Sequence, residues 1–171
     1  MLSRVVIRTV NATDAAELIA ANLASIALHE PWVSPCRDQA SFLGYLARCD
    51  GERSLGFIAR ERESGRIIGV VNVSEIVRGF FQSAYLGYYG MAGLSGRGLM
   101  TEAVGQVVSH GFNALGLHRL EANIQPGNEP SRALVKRLGF RQEGYSPRYL
   151  KISGEWRDHE RWAVLADDWR G

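Results

Sequence analysis

The sequence lacks any apolar run long enough to cross a membrane. None of its hydrophobic stretches approaches the roughly 20 consecutive residues that a bilayer-spanning helix needs. Residues 1–10 contain no long apolar segment followed by a cleavage site, which a secretion signal would require. We therefore expect a cytoplasmic protein with no membrane partner.

Cysteine is scarce, and the histidines are scattered. The two cysteines, Cys36 and Cys49, are too few for a disulfide framework. Neither cysteine has a His or a second Cys at metal-ligand spacing, and the 4 histidines form no metal-binding pattern. We predict two reduced structural thiols and no metal site.

A strong excess of either charge is also missing. The 20 basic and 18 acidic residues leave a formal net charge of +2, which is too small to indicate nucleic acid or an anionic membrane as a partner. An anionic small ligand stays open.

The chain contains no repeat, low-complexity tract or linker, and its 171 residues are 46% hydrophobic, enough for one core. The sequence therefore predicts a single domain over residues 1–171.

What the sequence does contain is an ordered series of strand-like and helix-like segments. Runs of β-branched and aromatic residues indicate strands, and apolar residues at helical spacing indicate helices. The predicted strands are residues 5–8, 55–60, 67–74, 80–89 and 118–125, followed by a hairpin of 145–152 with 155–165. The predicted helices are residues 13 to about 28, 38–48, 99–115 and 128–138. This order predicts a mixed α/β fold whose strands are mostly antiparallel, with 55–89 forming a meander.

A glycine-rich segment, residues 93–98, joins a predicted strand to the predicted helix that begins at Leu99. Such a loop exposes unpaired backbone N–H groups at the positive end of the helix dipole, and glycine lets the backbone approach a phosphate. An ordinary turn is the alternative interpretation. Arg97 either adds charge to the site or is simply solvated. The segment lacks the Gly-Lys-Ser/Thr ending of a nucleotide P-loop and the six-residue dinucleotide fingerprint. It is therefore a candidate anion site of another kind.

A second candidate group follows strand 118–125. Asn128 can cap the next helix, Pro130 is tolerated in its first turn, and Gly139 is placed to end it. Ser131 is either a plain first-turn serine or, with Asn128, part of the far wall of a cleft between strands 80–89 and 118–125. The residues alone leave both interpretations open.

The strongest signal is a series of motifs in a fixed order. They are Gly-Tyr at 87–88, Gly-x-Gly-x-x-Thr-Glu-Ala at 96–103, His-Arg-Leu-Glu-Ala-Asn at 118–123, Asn-x-x-Ser at 128–131, Leu-Gly-Phe at 138–140 and Gly-Glu-Trp-Arg-Asp-His at 154–159. The series resembles the GNAT superfamily of acetyl-coenzyme A-dependent N-acetyltransferases, and within it the ribosomal-protein-alanine N-acetyltransferases of the Rim type. The resemblance covers about residues 66–169, whereas residues 1–65 match only loosely, chiefly at Pro31 and Trp32.

The resemblance implies a GNAT-type fold, with a mostly antiparallel central sheet, helices on both faces and a splayed cofactor cleft. It also implies acetyl-coenzyme A as co-substrate. The corresponding binding residues in this sequence are Tyr88, Tyr89, Gly90, Leu94, Ser95, Gly96, Arg97, Gly98, Leu99, Asn128 and Ser131. Two positions depart from the pattern. Gly93 stands where Gln or Arg is usual, and Val135 stands where many relatives carry a tyrosine as acid, so that Ser131 becomes the candidate that protonates the sulfur.

The resemblance further implies that the amine attacks the thioester directly, in a ternary complex. An N-terminal amine has a pKa near 8, so roughly one tenth of it is neutral at pH 7 and a base has little to supply. Candidate proton acceptors are Glu121, Tyr85 and Glu75, and a surface role is the alternative for each. Trp32 and Trp156 are candidates for the acceptor side, and packing in the core or between helices is their alternative role.

Three functions stay open from the sequence. The acceptor is the N-terminal amine of a protein, ribosomal and beginning with a small residue such as alanine, or it is a small amine such as an antibiotic, polyamine or amino acid. The third is a catalytically silent module that binds coenzyme A and a protein partner, which Gly93, Val135 and the missing obvious base motivate. The sequence leaves a monomer and a homodimer equally open.

Overall fold

The computed structural model describes residues 3–171. Its seven strands form one sheet in the order β1-β2-β3-β4-β5-β7-β6. The strands are β1 Val5–Thr9, β2 Leu55–Glu61, β3 Ile67–Val77, β4 Ser83–Gly90, β5 Arg119–Ile124, β6 Arg141–Ile152 and β7 Glu155–Leu165. Every neighbouring pair is antiparallel except β4 and β5, which are parallel. The predicted mixed α/β fold and its meander β2-β3-β4 are confirmed.

Helices cover both faces of the sheet because successive strand residues point to opposite sides. The helices are α1 Ala15–Leu23, α2 Ile26–His29, α3 Gln39–Arg48, α4 Leu99–Asn113 and α5 Glu129–Arg137. In β2, Phe57 packs into the cluster formed with α4 and α5, whereas its neighbour Ile58 packs with α1 and α3. The buried interior is therefore two apolar layers separated by the sheet.

The first predicted helix, residues 13 to about 28, is interrupted. A 3-10 turn at Ala12–Asp14 precedes α1, and its cap is Asn11 rather than Thr13, because the Asn11 side chain accepts from the Thr13 N–H at 2.9 Å. The helix then breaks at Ser25, whose buried hydroxyl oxygen accepts from the Ala92 N–H at 3.0 Å. This contact turns α2 toward the end of β4.

Two predicted strand boundaries are also wrong. β4 begins at Ser83 rather than Phe80, because Phe80 and Phe81 are exposed in the turn before it, where Gln82 has a φ of 42°. β6 begins at Arg141 rather than Tyr145, and register shifts between Gln142 and Gly144 and between Ser146 and Leu150 interrupt its pairing with β7. β6 is an edge strand with little buried surface, so it lacks the two-residue alternation that marks a half-buried strand.

Candidate active site

The sheet opens between β4 and β5. The two strands pair only through Ser83–Tyr85 and Arg119–Glu121, although β4 continues to Gly90 and β5 to Ile124. Beyond Tyr85 the β5-facing edge of β4 has no strand partner among residues 3–171, so its backbone groups on that side are available to a ligand. The cleft predicted between these two strands is present.

A cavity of about 410 Å³ lies in this cleft, and we call it the first cavity. Its walls come from α2 and the loop after it, the end of β4, the glycine loop and the first turns of α4 and α5. Among the predicted cofactor-binding residues it is lined by Tyr88, Tyr89, Gly90, Leu94, Ser95, Gly96, Gly98, Leu99, Asn128 and Ser131. Residues that are distant in sequence are thus gathered around one space.

The glycine loop presents its backbone to the first cavity. Gly96 and Gly98 both have a φ of 76°, in the left-handed region where a side chain is strained, and no atom lies within 4 Å of a Cβ built on Gly96. Gly98 is the N-cap of the 15-residue α4, and no side chain of the described residues caps this helix end. Unpaired N–H groups at the positive end of a long helix bind phosphate oxygens. The loop therefore fits the pyrophosphate of coenzyme A through its backbone.

Arg97 directs its side chain away from the first cavity. Its guanidinium pairs with Glu61 at 2.5 Å, and its backbone carbonyl accepts from Arg4 at 3.2 Å. These contacts tie the loop to β2 and to the chain before β1. Any contribution of Arg97 to cofactor binding in this conformation comes from its main chain.

Tyr88 and Ser131 form a hydroxyl pair across the cleft. The Tyr88 Oη and Ser131 Oγ atoms are 2.7 Å apart, and the Ser131 N–H donates to the Asn128 side chain at 3.4 Å. Burial raises the pKa of Tyr88 to about 12, and the hydrogen bond with Ser131 opposes this shift. Both phenol and serine are therefore protonated at neutral pH and can donate to a developing thiolate.

His29 is a wall residue that the sequence does not reveal. It lies at the end of α2, and its Nε2–H donates to the Gly90 carbonyl at 2.8 Å. The ring is buried and packs edge-on against Tyr89 at 5.0 Å between centroids, and its Nδ1 is buried with no partner within residues 3–171. Burial lowers the pKa of His29 below its ordinary value. This neutral ring fixes the end of β4, and a lone histidine in a helix gives no sequence signal for such a role.

A smaller cavity of about 130 Å³, the second cavity, adjoins the first. The two share Trp32, Val33, Tyr88, Asn128 and Ser131. The remaining wall of the second cavity includes Asn123 and Gln125 of β5, Leu150 and Ile152 of β6, and His159 of β7. The Gln125 side chain donates to the Trp32 carbonyl at 3.2 Å, which holds the loop after α2 against β5. Trp32 thus lies between the cofactor cleft and the second cavity, on the side where an acceptor was predicted.

Besides Arg97, four of the predicted site residues lie on neither cavity wall. Glu75 is exposed and pairs with Arg53 at 3.4 Å, and Glu121 pairs with Arg119 at 2.7 Å. Tyr85 hydrogen bonds with Tyr149, which raises the pKa of Tyr85 to about 12. The fourth, Trp156, is 60% exposed beside the turn that joins β6 to β7.

The cavity walls carry no carboxylate anywhere in residues 3–171. Within the same residues there is no group of three or more His, Cys, Asp or Glu side chains that could hold a metal ion. The described part of the chain also contains no helix that is long and apolar enough to cross a membrane. Among residues 3–171 the histidines on the walls are His29 and His159, and burial lowers the pKa of both below the ordinary value.

A sheet that splays beside a glycine loop at a helix N-terminus defines a coenzyme A-binding acyltransferase. Residues 4–141 match the family described as the acetyltransferase (GNAT) domain, and the chain belongs to this family. The *Escherichia coli* [ribosomal protein uS5]-alanine N-acetyltransferase is 36% identical over 97% of this chain and 90% of its own length. The probable N-acetyltransferase YjcK of *Bacillus subtilis* is 37% identical over 72% of this chain and 68% of its own.

Solved structures show the same architecture. *Mycobacterium smegmatis* RimJ, solved in complex with coenzyme A-disulfide, superposes with a TM-score of 0.84 at 33% identity, covering 95% of this chain and 82% of that one. *Vibrio cholerae* spermidine N-acetyltransferase, solved with coenzyme A and spermine, gives 0.78 at 20% identity over 98% of both chains, a likeness of fold alone. The chain is an acetyl-coenzyme A-dependent N-acetyltransferase, and the resemblance to the Rim-type enzymes is confirmed.

Proposed function

We propose that the acceptor is the N-terminal amine of a protein that begins with a small residue such as alanine, and that the protein is ribosomal. The observation that carries this proposal is the second cavity, which is small and has no carboxylate on its wall within residues 3–171. A cavity of about 150 Å³ holds one benzene molecule. The 130 Å³ available here therefore suits the first residue of a peptide when its side chain is small.

The charge of the walls argues against a polyamine. A polyamine carries several ammonium groups at neutral pH, and burying them without carboxylate partners is costly. An N-terminal amine has a pKa of about 8, so it enters the site in its neutral form at modest cost. The similarity to the *Escherichia coli* uS5-alanine enzyme over 97% of this chain supports the same choice.

In this proposal, one set of residues binds the two reactants and another transfers a proton. The free edge of β4 and the backbone of residues 94–99 hold acetyl-coenzyme A, and Trp32 with the β5 side chains orients the peptide. Holding two reactants in contact supplies much of the rate of such a reaction. The Ser131 hydroxyl, backed by Tyr88, donates a proton to the sulfur as the amine displaces it.

The acceptor is tested with a panel of peptides and amines, with release of free coenzyme A thiol as the readout. Because the second cavity is small, we expect an Ala-initiated peptide to be acetylated at least about tenfold more efficiently than the same peptide beginning with Leu or Trp. One poorly placed methylene group in an enzyme pocket costs about 10- to 200-fold in discrimination.

The matched control is the Ala-initiated peptide with a chemically acetylated N-terminus and an internal lysine. It should not react if the enzyme uses N-terminal amines. Equal or faster turnover of spermidine would replace the proposed acceptor with a polyamine. Mass spectrometry of the peptide product, with the acetyl group on the first nitrogen, checks the site of modification.

A further inference from the structure

We infer that the second cavity is the acceptor-amine site and that His159 is its general base, with the Asn123 side-chain oxygen as the second acceptor for the amine. The sequence candidates for the base, Glu75, Tyr85 and Glu121, lie on neither cavity wall. His159 belongs to the Gly-Glu-Trp-Arg-Asp-His motif. Its position beside the second cavity follows from the place of β7 between β5 and β6, which the sequence does not show.

The tautomer of His159 is fixed by its backbone contact. The ring lies in β7 with 2% of the residue exposed, and its Nδ1 is 2.9 Å from the Arg157 carbonyl oxygen. A carbonyl oxygen only accepts hydrogen bonds, so Nδ1 carries the proton and donates it. The neutral ring therefore keeps its lone pair on Nε2, as a general base requires.

The position of His159 relative to the reacting groups follows from the sheet. In the β5–β7 ladder Ile124 is opposite Glu160 and Asn123 is opposite Arg161, so the extension of β5 at Gln125 lies beside His159. His159, Asn123 and Gln125 all line the second cavity together with Tyr88 and Ser131. An amine in this cavity thus lies between His159 and the hydroxyl pair that faces the sulfur.

Asn123 supplies a further observation that points to a ligand. Its Oδ1 atom is buried and has no hydrogen-bond partner in the described part of the chain, although buried polar oxygens are rarely left unpaired. A primary amine offers two N–H groups, one for Asn123 Oδ1 and one for His159 Nε2. The other wall histidine, His29, lines the first cavity and not the second, and its Nε2–H is bound to the Gly90 carbonyl.

The charged and titratable groups around His159 leave it neutral at pH 7. Asp158 is the adjacent residue on β7, and the phenol of Tyr149 on β6 packs edge-on against the ring at 6.3 Å between centroids. The facing β5 side chains, Asn123 and Gln125, are uncharged. Burial lowers the pKa of His159, and it outweighs the hydrogen bond to Arg157 and the charge of Asp158, which both raise the pKa.

His159 and the Ser131–Tyr88 pair account for every proton that moves in the reaction. As the amine nitrogen bonds to the thioester carbon, one N–H proton passes to His159 Nε2, and the carbon–sulfur bond breaks. The sulfur leaves with the electron pair of that bond and takes a proton from the Ser131–Tyr88 pair. His159 then loses its proton to solvent, and the hydroxyl pair regains one, which restores the resting state.

His159→Asn tests the assignment. The Asn side-chain N–H stands near the position of Nδ1–H and keeps the contact with the Arg157 carbonyl, but no basic nitrogen remains at Nε2. We expect kcat for the Ala-initiated peptide to fall about 100-fold, the low end for a general base, while the Kd of coenzyme A stays within about threefold. The wild-type kcat should decrease as the pH falls through the pKa of His159, which burial lowers below its ordinary value, and this decrease should be absent in the variant.

The matched control is His118→Asn, because His118 is exposed and lies on neither cavity wall. It should keep the wild-type kcat and pH profile. A full rate with an unchanged profile in His159→Asn would overturn the assignment. If that variant does not fold, His159→Gln replaces it, because Gln also lacks a basic nitrogen, and a full rate in His159→Gln would overturn the assignment.

The choice of peptide rests on the proposed function, and the two can fail separately. If wild-type enzyme does not acetylate the Ala-initiated peptide, the proposed acceptor is wrong. The His159 comparison then continues with whichever amine of the panel the wild-type enzyme acetylates. If His159→Asn raises KM and leaves kcat unchanged, His159 is a binding residue, and its role as base is overturned.

Discussion

The hydroxyl pair of Ser131 and Tyr88 gives the sharpest prediction at the scale of single residues. Ser131 lines both cavities and lies 2.7 Å from the Tyr88 phenol, so in the proposed mechanism its removal deprives the departing sulfur of the hydroxyl that protonates it. We expect Ser131→Ala to lower kcat about 100-fold, as loss of a general acid commonly does. The Kd of coenzyme A, measured by calorimetry, should change less than about threefold.

Two further variants complete this comparison. Tyr88→Phe keeps the ring in the cleft and removes only the hydroxyl behind Ser131, so its loss of kcat should be smaller. Ser109→Ala removes a helix hydroxyl that accepts from Trp169 outside both cavities, and its kcat should equal that of the wild type. Full activity in Ser131→Ala would remove the serine from the mechanism.

How far single residues could be predicted depends on how local their role is. Gly98, Asn128 and Ser131 act at helix ends, which the sequence marks through short-range capping patterns. His29 and His159 act through contacts made in the folded chain, with the Gly90 carbonyl and with the second cavity. Residue type alone does not distinguish such a histidine from one in the core.

At the scale of elements, the loop and the N-terminus of α4 are predicted to act together on phosphate. A carboxylate at the N-cap of α4 would occupy the positive end of the helix and repel the pyrophosphate. We therefore expect Gly98→Asp to weaken coenzyme A binding at least about tenfold, measured by calorimetry. Gly98→Ala, which adds the Cβ without the charge, should lose less.

Gly65→Asp is the matched control for backbone strain. Gly65 also has a positive φ, 70°, and nothing lies within 4 Å of a Cβ built on it, but it is in the turn between β2 and β3. Both Asp variants carry the same added charge and the same kind of strain. Equal affinity for coenzyme A in Gly98→Asp and Gly65→Asp would contradict a phosphate site at α4.

Element boundaries were predictable where local chemistry sets them and not where a distant contact does. Asp38 caps α3 through its own side chain, and the predicted start was correct. The break between α1 and α2 depends on Ser25 contacting Ala92, 67 residues further along the chain. The helical pattern runs through that break, because the residues on either side are good helix formers.

At the scale of the whole molecule, the full order of the strands in the sheet could not be predicted from the pattern of strand-like and helix-like segments in the sequence. The meander of β2, β3 and β4 follows from short turns between adjacent strands. The place of β7 between β5 and β6 is decided by burial, because Trp162, Ala163 and Val164 are covered whereas β6 is mostly exposed. That insertion brings His159 beside β5, so the proposed acceptor site depends on tertiary structure.

The final prediction concerns the stability of the chain as one unit against pH. We propose that the chain is a single domain, so thermal unfolding should show one cooperative transition. Burial lowers the pKa of His29 and of His159, so the unfolded chain binds more protons as the pH falls. Their contribution is complete above their unfolded pKa of about 6.5 and is lost as the pH falls through the lower folded values.

Carboxylates add a second decrease at lower pH. Hydrogen bonds from Arg8 lower the pKa of the buried Asp14, and those from Arg119 lower the pKa of Glu143. Their stabilisation is present above the unfolded values of about 4 and is lost below them. Calorimetry from pH 8 to 3 should show the midpoint falling first below about pH 6.5 and again below about 4.3, by about 2–4 °C for each kcal/mol lost. In His159→Asn the first decrease should shrink, and an unchanged first decrease in that variant would show that His159 is not neutral in the folded protein.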